Sequence, residues 1–136
     1  MSERIYVDAN IYLDYCEGRA DSIRPLQELA FSVFQRTLEC EFEIVVSNLV
    51  IEEVKTALKT KVTLDMLIAD LTSKNKIVYV EETSSEIAQA KRRRNWRDAL
   101  HAIIANRTKC KCIVTRNISD FLEFSDILEA KLPEHL

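Results

Sequence analysis

Short runs rich in Ile, Val and Tyr alternate along the chain with longer stretches whose apolar residues recur every three to four positions. The runs RIYV (4–7), FEIVV (42–46), KIVYV (76–80), KCIVT (111–115) and, more weakly, DIL (126–128) predict β-strands. The stretches between them predict helices over roughly 9–16, 21–39, 48–59, 63–74, 83–95, 98–108 and 117–123. Asn48, Thr63, Thr83 and Asp98 stand where N-caps are expected. Pro25 lies near the front of the second helix, where its missing N–H costs least.

Strands alternating with helices require crossover connections, and hence a mostly parallel sheet covered on both faces. The nearly continuous apolar strands IVV, IVYV and CIV fit burial on both sides. The expected fold class is α/β, a three-layer α/β/α arrangement around a mostly parallel sheet of four to five strands. No repeat, low-complexity tract or linker interrupts the chain, which reads as one domain, 1–136. In open sheets of this kind the site lies beyond the carboxyl ends of the strands. The polar residues that follow each strand therefore carry the functional information.

Asp8 ends the first strand directly, in VDAN. After FEIVV comes SNLVIEEV, a helix start carrying two glutamates. On a helical wheel Val50, Val54, Ala57 and Leu58 form the apolar stripe; Glu53 borders it, while Glu52 points nearly opposite. Glu53 is thus the acid able to face the sheet edge. NWRDALHAIIA places Asp98 in the first turn of a helix, on the face of Ala102 and Ala105 and away from Leu100, Ile103 and Ile104. An aspartate there is also an ordinary N-cap, although His101 at the capping-box position supplies no reciprocal bond. IVTRNISDF puts Thr115 and Asn117 at the end of the fourth strand and Asp120 one helical turn further on. A plain cap at Asn117 and a first-turn acid at Asp120 are the bland alternatives.

Acids gathered on one edge cannot all ionise without a compensating cation. Hard oxygen ligands with places left for water suit Mg²⁺ or Mn²⁺, ions that activate water and hold phosphate oxygens for displacement. Composition narrows the alternatives. The single glycine, Gly18, excludes both glycine-rich nucleotide loops. Two histidines, His101 and His135, leave few parts for a Ser–His–Asp or Cys–His site. The cysteines (Cys16, Cys40, Cys110, Cys112) lack zinc spacing and read as small buried hydrophobes. No apolar run can span a bilayer, and the start MSERIYV has no signal core, so a cytoplasmic protein without membrane contact is expected. Net charge is −3, yet KRRRNWR concentrates five cations within seven residues.

Taken together and in order, YVDANIYLDY, VSNLVIEEV, RDALHAIIA and IVTRNISDF resemble the PIN domain, most of all small single-domain members such as VapC-type toxins of toxin–antitoxin pairs. The likeness covers essentially the whole chain. It implies a Mg²⁺/Mn²⁺-dependent endoribonuclease with an acidic pocket. Position by position, Asp8, Glu53 and Asp98 match the family's acids, and Ser47 matches the serine six residues before the glutamate. Thr115 matches the T-R-N/D segment, in which Asn117 stands where an aspartate is frequent; Asp120 or Asn117 would then complete the set. Asn10 would support the same pocket. The resemblance further implies an RNA substrate, a homodimer and a cognate antitoxin protein that covers part of the apolar helix faces (Leu26, Leu29, Ala30, Val33, Phe34; Leu58, Val62, Leu67, Leu71).

RNA requires cations beside the acids, and Arg93, Arg94, Arg97 and Arg116 flank them in sequence. Trp96 is either a base-stacking platform or core. Three other readings stand: an RNA-processing nuclease without a toxin role, an inactive scaffold, and a receiver-type or dehalogenase-type domain. The last expects adjacent or Asp-x-Asp acids that VDAN does not supply.

Overall fold

The first apolar run forms strand β1 (Glu3–Val7), whose Ile5, Tyr6 and Val7 are fully buried because it lies at the centre of the sheet. β1 pairs in parallel with β2 (Phe42–Ser47) on one side and β4 (Ile113–Val114) on the other, with Ile5 opposite Ile44 and Tyr6 opposite Ile113. β3 (Ile77–Val80) extends the sheet past β2, and β5 (Ala130–Lys131) past β4, giving the all-parallel order β3-β2-β1-β4-β5. This is a computed structural model, and it describes residues 3–18 and 24–136.

Helices α1 (Ala9–Glu17) and α2 (Leu26–Leu38) join β1 to β2, and α3 (Asn48–Ala57) and α4 (Val62–Ser73) join β2 to β3. The return to β4 runs through α5 (Ser84–Ala90) and α6 (Trp96–Arg107); α7 (Ile118–Phe121) and a 3-10 turn lead to β5. Right-handed crossovers that first run outward and then back place α1 to α4 on one face and α5 to α7 on the other. Packing agrees, since α1 touches α2, α3 and α4, whereas α6 touches α5 and α7. The layers bury Ile44, Val45 and Val46 of β2 and Ile113 and Val114 of β4 between them, with Leu100 and Ile104 of α6 in the same core. Strand addition runs outward from β1 to β3 on one side and then, from β4, to β5 on the other, which makes the carboxyl ends of β1 and β4 the topological switch point.

Three helices end alike although glycine is missing. Cys40, Asn75 and Lys109 take left-handed φ values of 72°, 57° and 63° after α2, α4 and α6. In each case the next N–H reaches five residues back: Glu41 to Arg36, Lys76 to Leu71 and Cys110 to Ala105. These are Schellman closures, which satisfy carbonyls that a helix end leaves free. Gly18, with φ 65°, closes α1 and donates to the Asp14 carbonyl.

Several sequence expectations are corrected in detail. The helix expected over 83–95 ends early at Ala90, because the N–H groups of Arg92 and Arg93 fold back onto Gln89 and Ala90. In a continuous helix Lys91 and Arg94 would stand as like-charged i,i+3 neighbours. The DIL strand at 126–128 is a turn, since Ile127 and Leu128 both donate to the Phe124 carbonyl; β5 lies at 130–131 instead. The helices expected over 48–59 and 63–74 are α3 and α4, separated after Leu58, whose backbone is extended, but Val62 is 63% exposed rather than core. Part of the expected 21–39 helix falls on residues 21–23, outside the described residues, and α2 starts at Leu26. Ser47, not Asn48, caps α3, and Thr63 lies inside α4. Thr83 caps α5 with a full capping box, its Oγ1 accepting from the Glu86 N–H and its own N–H donating to Glu86. Cys110 and Cys112 are buried as expected, but Cys40 is exposed at its turn. Among the described residues no helix is long and apolar enough to cross a membrane.

Candidate active site

Asp8 is delivered to the switch point by β1, and its N–H continues the ladder to the Val114 carbonyl at 2.9 Å. One carboxylate oxygen accepts the Ala9 N–H at 2.8 Å and so caps α1. The other accepts from Thr115 Oγ1 at 2.9 Å and Asn10 Nδ2 at 3.0 Å. Asn10 in turn accepts the Arg116 N–H at 3.2 Å, and the Asn117 N–H donates to Thr115 Oγ1 at 3.1 Å. The ends of β1 and β4 are thereby stitched through polar side chains. Burial pushes the Asp8 carboxyl up; His101, Thr115 and Ala9 oppose that, and Glu53 adds to it.

Glu53 leaves α3 beside the same edge, whereas Glu52 is exposed and lines a groove between α3, α4 and β3, as the wheel requires. Glu53 Oε1 lies 2.7 Å from His101 Nε2. Partial burial would raise this carboxyl, but the His101 hydrogen bond and charge, together with Arg97, outweigh it and hold the group below its ordinary value.

Asp98 is the third residue of α6, whose cap position is Asn95, so it is not the N-cap. Its carboxyl is pushed up to about 6 by burial and, despite His101, by the charges of Asp120, Asp8 and Glu53. All four acids therefore share one field. Asp120 is exposed in the first turn of α7, and Asn117 holds the cap position without a side-chain cap bond. It is the Asp120 charge, not Asn117, that adds to the load on Asp98.

The donor set consists of carboxylates with neutral oxygens nearby, the chemistry that suits a hard divalent ion. Among the described residues no three His, Cys, Asp or Glu side chains close into a ready coordination shell. The residues fit a Mg²⁺ or Mn²⁺ ion by ligand type and by the mutual repulsion such an ion relieves.

The four expected arginines divide into two pairs. Arg93 is bound to Asp126 at 2.9 Å and lies over the Phe124 ring. Arg116 forms a two-pronged pair with buried Asp14, at 2.9 and 3.1 Å. Arg116 is committed to a buried acid, whereas the Arg93 pair lies at the surface. Arg94 and Arg97 are exposed and line a small cavity of about 250 Å³ with Trp96 and Asp98. Lys91 and Arg97 flank the half-buried Trp96 ring, which packs against the core.

Sequence reasoning missed Tyr6 and the role of His101. Tyr6 Oη lies 2.7 Å from Ser47 Oγ and 2.6 Å from His101 Nδ1. Two signals were present: Tyr6 precedes Asp8 by two, hence shares its strand face, and His101 follows Asp98 by three, hence shares its helix face.

No curated protein sequence matches the chain. The PIN domain family profile matches residues 5–126, a span that takes in Asp8, Glu53, Asp98 and Asp120. With the all-parallel sheet and the acids gathered at its switch point, this match establishes that the chain belongs to the PIN domain family, whose members are generally metal-dependent nucleases.

Proposed function

We propose that this protein is a Mg²⁺- or Mn²⁺-dependent endoribonuclease that hydrolyses RNA phosphodiester bonds. The observation that carries the reading is the gathering of Asp8, at the β1/β4 end, with Glu53 and the α6 turn that bears Asp98 and His101, in a chain of the PIN domain family. Asp8, Glu53 and Asp98 would hold the ion, with Asp120 or the neutral Asn117 completing the set. A bound divalent ion supplies Lewis acidity and an activated water for in-line displacement. The chain's own residues do the rest. Thr115, Asn10 and the Ala9 N–H lock the Asp8 carboxylate in one orientation. His101 fixes Glu53. Arg94 and Arg97, exposed beside Asp98, meet the phosphates of the strand and bring it to the acids.

The proposal extends to biology: a cytoplasmic toxin half of a toxin–antitoxin pair, acting as a homodimer. Its support is the whole-chain likeness to small single-domain members of the family. An apolar groove of about 600 Å³ between α3, α4 and β3, lined by Ile51, Leu64, Ile68 and Tyr79, offers surface for a second chain.

The test is cleavage of a mixed pool of single-stranded and structured RNA by purified wild type, Asp8→Asn and Glu52→Ala, each with Mg²⁺, with Mn²⁺ and with EDTA. Metal-dependent cutting is expected for wild type and Glu52→Ala. Asp8→Asn should fall about 100-fold, equivalent to about 2.7 kcal/mol of barrier. Folded wild type that is free of copurified inhibitor and cuts nothing would instead make the chain an inactive scaffold.

A further inference from the structure

A buried polar chain runs behind the acids. Ser47 Oγ, Tyr6 Oη and His101 Nδ1 follow one another at 2.7 and 2.6 Å, and His101 Nε2 meets Glu53 Oε1 at 2.7 Å. Ser47 and Tyr6 are 0% exposed and His101 2%, so bulk water does not compete for the bonds among these three, while Glu53 lies at the solvent-facing end of the chain. The members come from β2, β1, α6 and α3, and Ser47 also caps α3 by accepting the Val50 N–H. The chain thus leaves α3 at its cap, crosses β1 and α6, and returns to α3 at Glu53. Each of those three elements presents an acid of the site: Asp8 directly after β1, Glu53 on α3 and Asp98 on α6.

The direction of the hydrogen bonds follows from the donor inventory. With a neutral imidazole, Ser47 donates to Tyr6, Tyr6 donates to Nδ1, and the Nε2–H donates to Glu53. With a doubly protonated imidazole the Tyr6 and Ser47 hydroxyls reverse, yet the Nε2–H still faces Glu53. In both states Glu53 is held through Oε1, and among the described residues no donor engages Oε2. Groups that hydrogen-bond a metal-ligating carboxylate from behind set its orientation, and losing them costs about 10–100-fold in metal affinity or activity.

We infer that Tyr6 and His101 are positioning residues, which hold Glu53 with one carboxylate oxygen presented to a divalent cation. The inference rests on the metal-site reading above. Three variants of the full chain test it: Tyr6→Phe, His101→Asn and His101→Gln. The Asn amide replaces Nδ1 toward Tyr6 but falls short of Glu53; the longer Gln brings an N–H to the place of Nε2. Mn²⁺ binding is measured by calorimetry, with melting temperature and with kcat and KM on RNA alongside.

The Mn²⁺ Kd should rise about 10-fold in His101→Asn and Tyr6→Phe, with most of the affinity restored in His101→Gln. kcat should fall with the same ranking while KM for RNA stays put. Wild-type Mn²⁺ affinity in all three, with lowered melting alone, overturns the inference, and so does equal loss in the Asn and Gln variants. Should the His101 variants not fold, Tyr6→Phe, which keeps the ring, decides by the same titration. Asp8→Asn separates the two levels. If it alone loses Mn²⁺, only the positioning role fails; if it too binds as wild type, the metal-site reading fails and the inference with it.

Discussion

At Asp98 the acid cluster exacts a cost from the metal-free fold. Its carboxyl is pushed up to about 6 from the ordinary aspartate value of 3.8, by burial first and then, despite His101, by Asp120, Asp8 and Glu53. Between these values the folded protein retains a proton that the unfolded chain has released. The stability from this group is therefore present at pH 4 and is lost as pH rises through about 6. Glu53 runs the other way. Its lowered carboxyl contributes stability above the ordinary glutamate range, which is lost as pH falls through the folded value. Asp98→Asn should raise the metal-free melting temperature at pH 7.5 by about 1–2 °C, partial exposure keeping the gain small, with no gain at pH 4. Melts of both proteins in EDTA at the two pH values check it, and an equal shift at both would show that charge is not the cause. The same substitution should abolish cleavage, because the repulsion that weakens the fold is what attracts a cation.

Among the elements, the helix ends store a smaller strain. Cys40 and Lys109 place side chains with a Cβ in the left-handed region, at φ 72° and 63°. That conformation costs an L-residue about 1–2 kcal/mol, of which glycine's extra unfolded-state entropy would cancel about 0.5–1 kcal/mol. Lys109 is exposed, so its replacement touches no core contact. Lys109→Gly should stabilise the protein by about 0.5 kcal/mol, seen as a higher urea midpoint at unchanged slope. A lower midpoint would mean that the lysine side chain offsets its own strain.

Over the whole molecule, a chain of net charge −3 must hold RNA by local and not overall attraction. Arg93 and Arg116 are occupied by Asp126 and Asp14, which leaves Arg94 and Arg97 as the exposed pair beside Asp98. Single-stranded RNA binding to the Asp8→Asn protein should weaken with salt. Arg94→Ala with Arg97→Ala should lower the slope of log K against log salt by about 1.4, the loss of two phosphate contacts. An unchanged slope would place the RNA elsewhere on the surface.

How much of this was legible beforehand differs by range. Period-2 and period-3.6 patterns are local, so the alternation of strands and helices, the parallel sheet and the α/β class could be read directly, as could the wheel positions of Glu52 and Glu53. The single glycine, a matter of counting, excluded nucleotide loops. Element ends were less legible, because Schellman closures at Cys40 and Lys109 and the break after Ala90 depend on backbone bonds that side-chain pattern does not encode. The sequence by itself determined which acids stand at strand ends and which helix faces turn inward. Only the tertiary structure decided that β1 lies between β2 and β4, so that Asp8 meets Thr115 across 107 residues, and that Arg116 turns to Asp14. It also decided that Tyr6 and His101 stand behind Glu53, because such partners are chosen by the packing of distant elements and leave no periodic trace in any one of them.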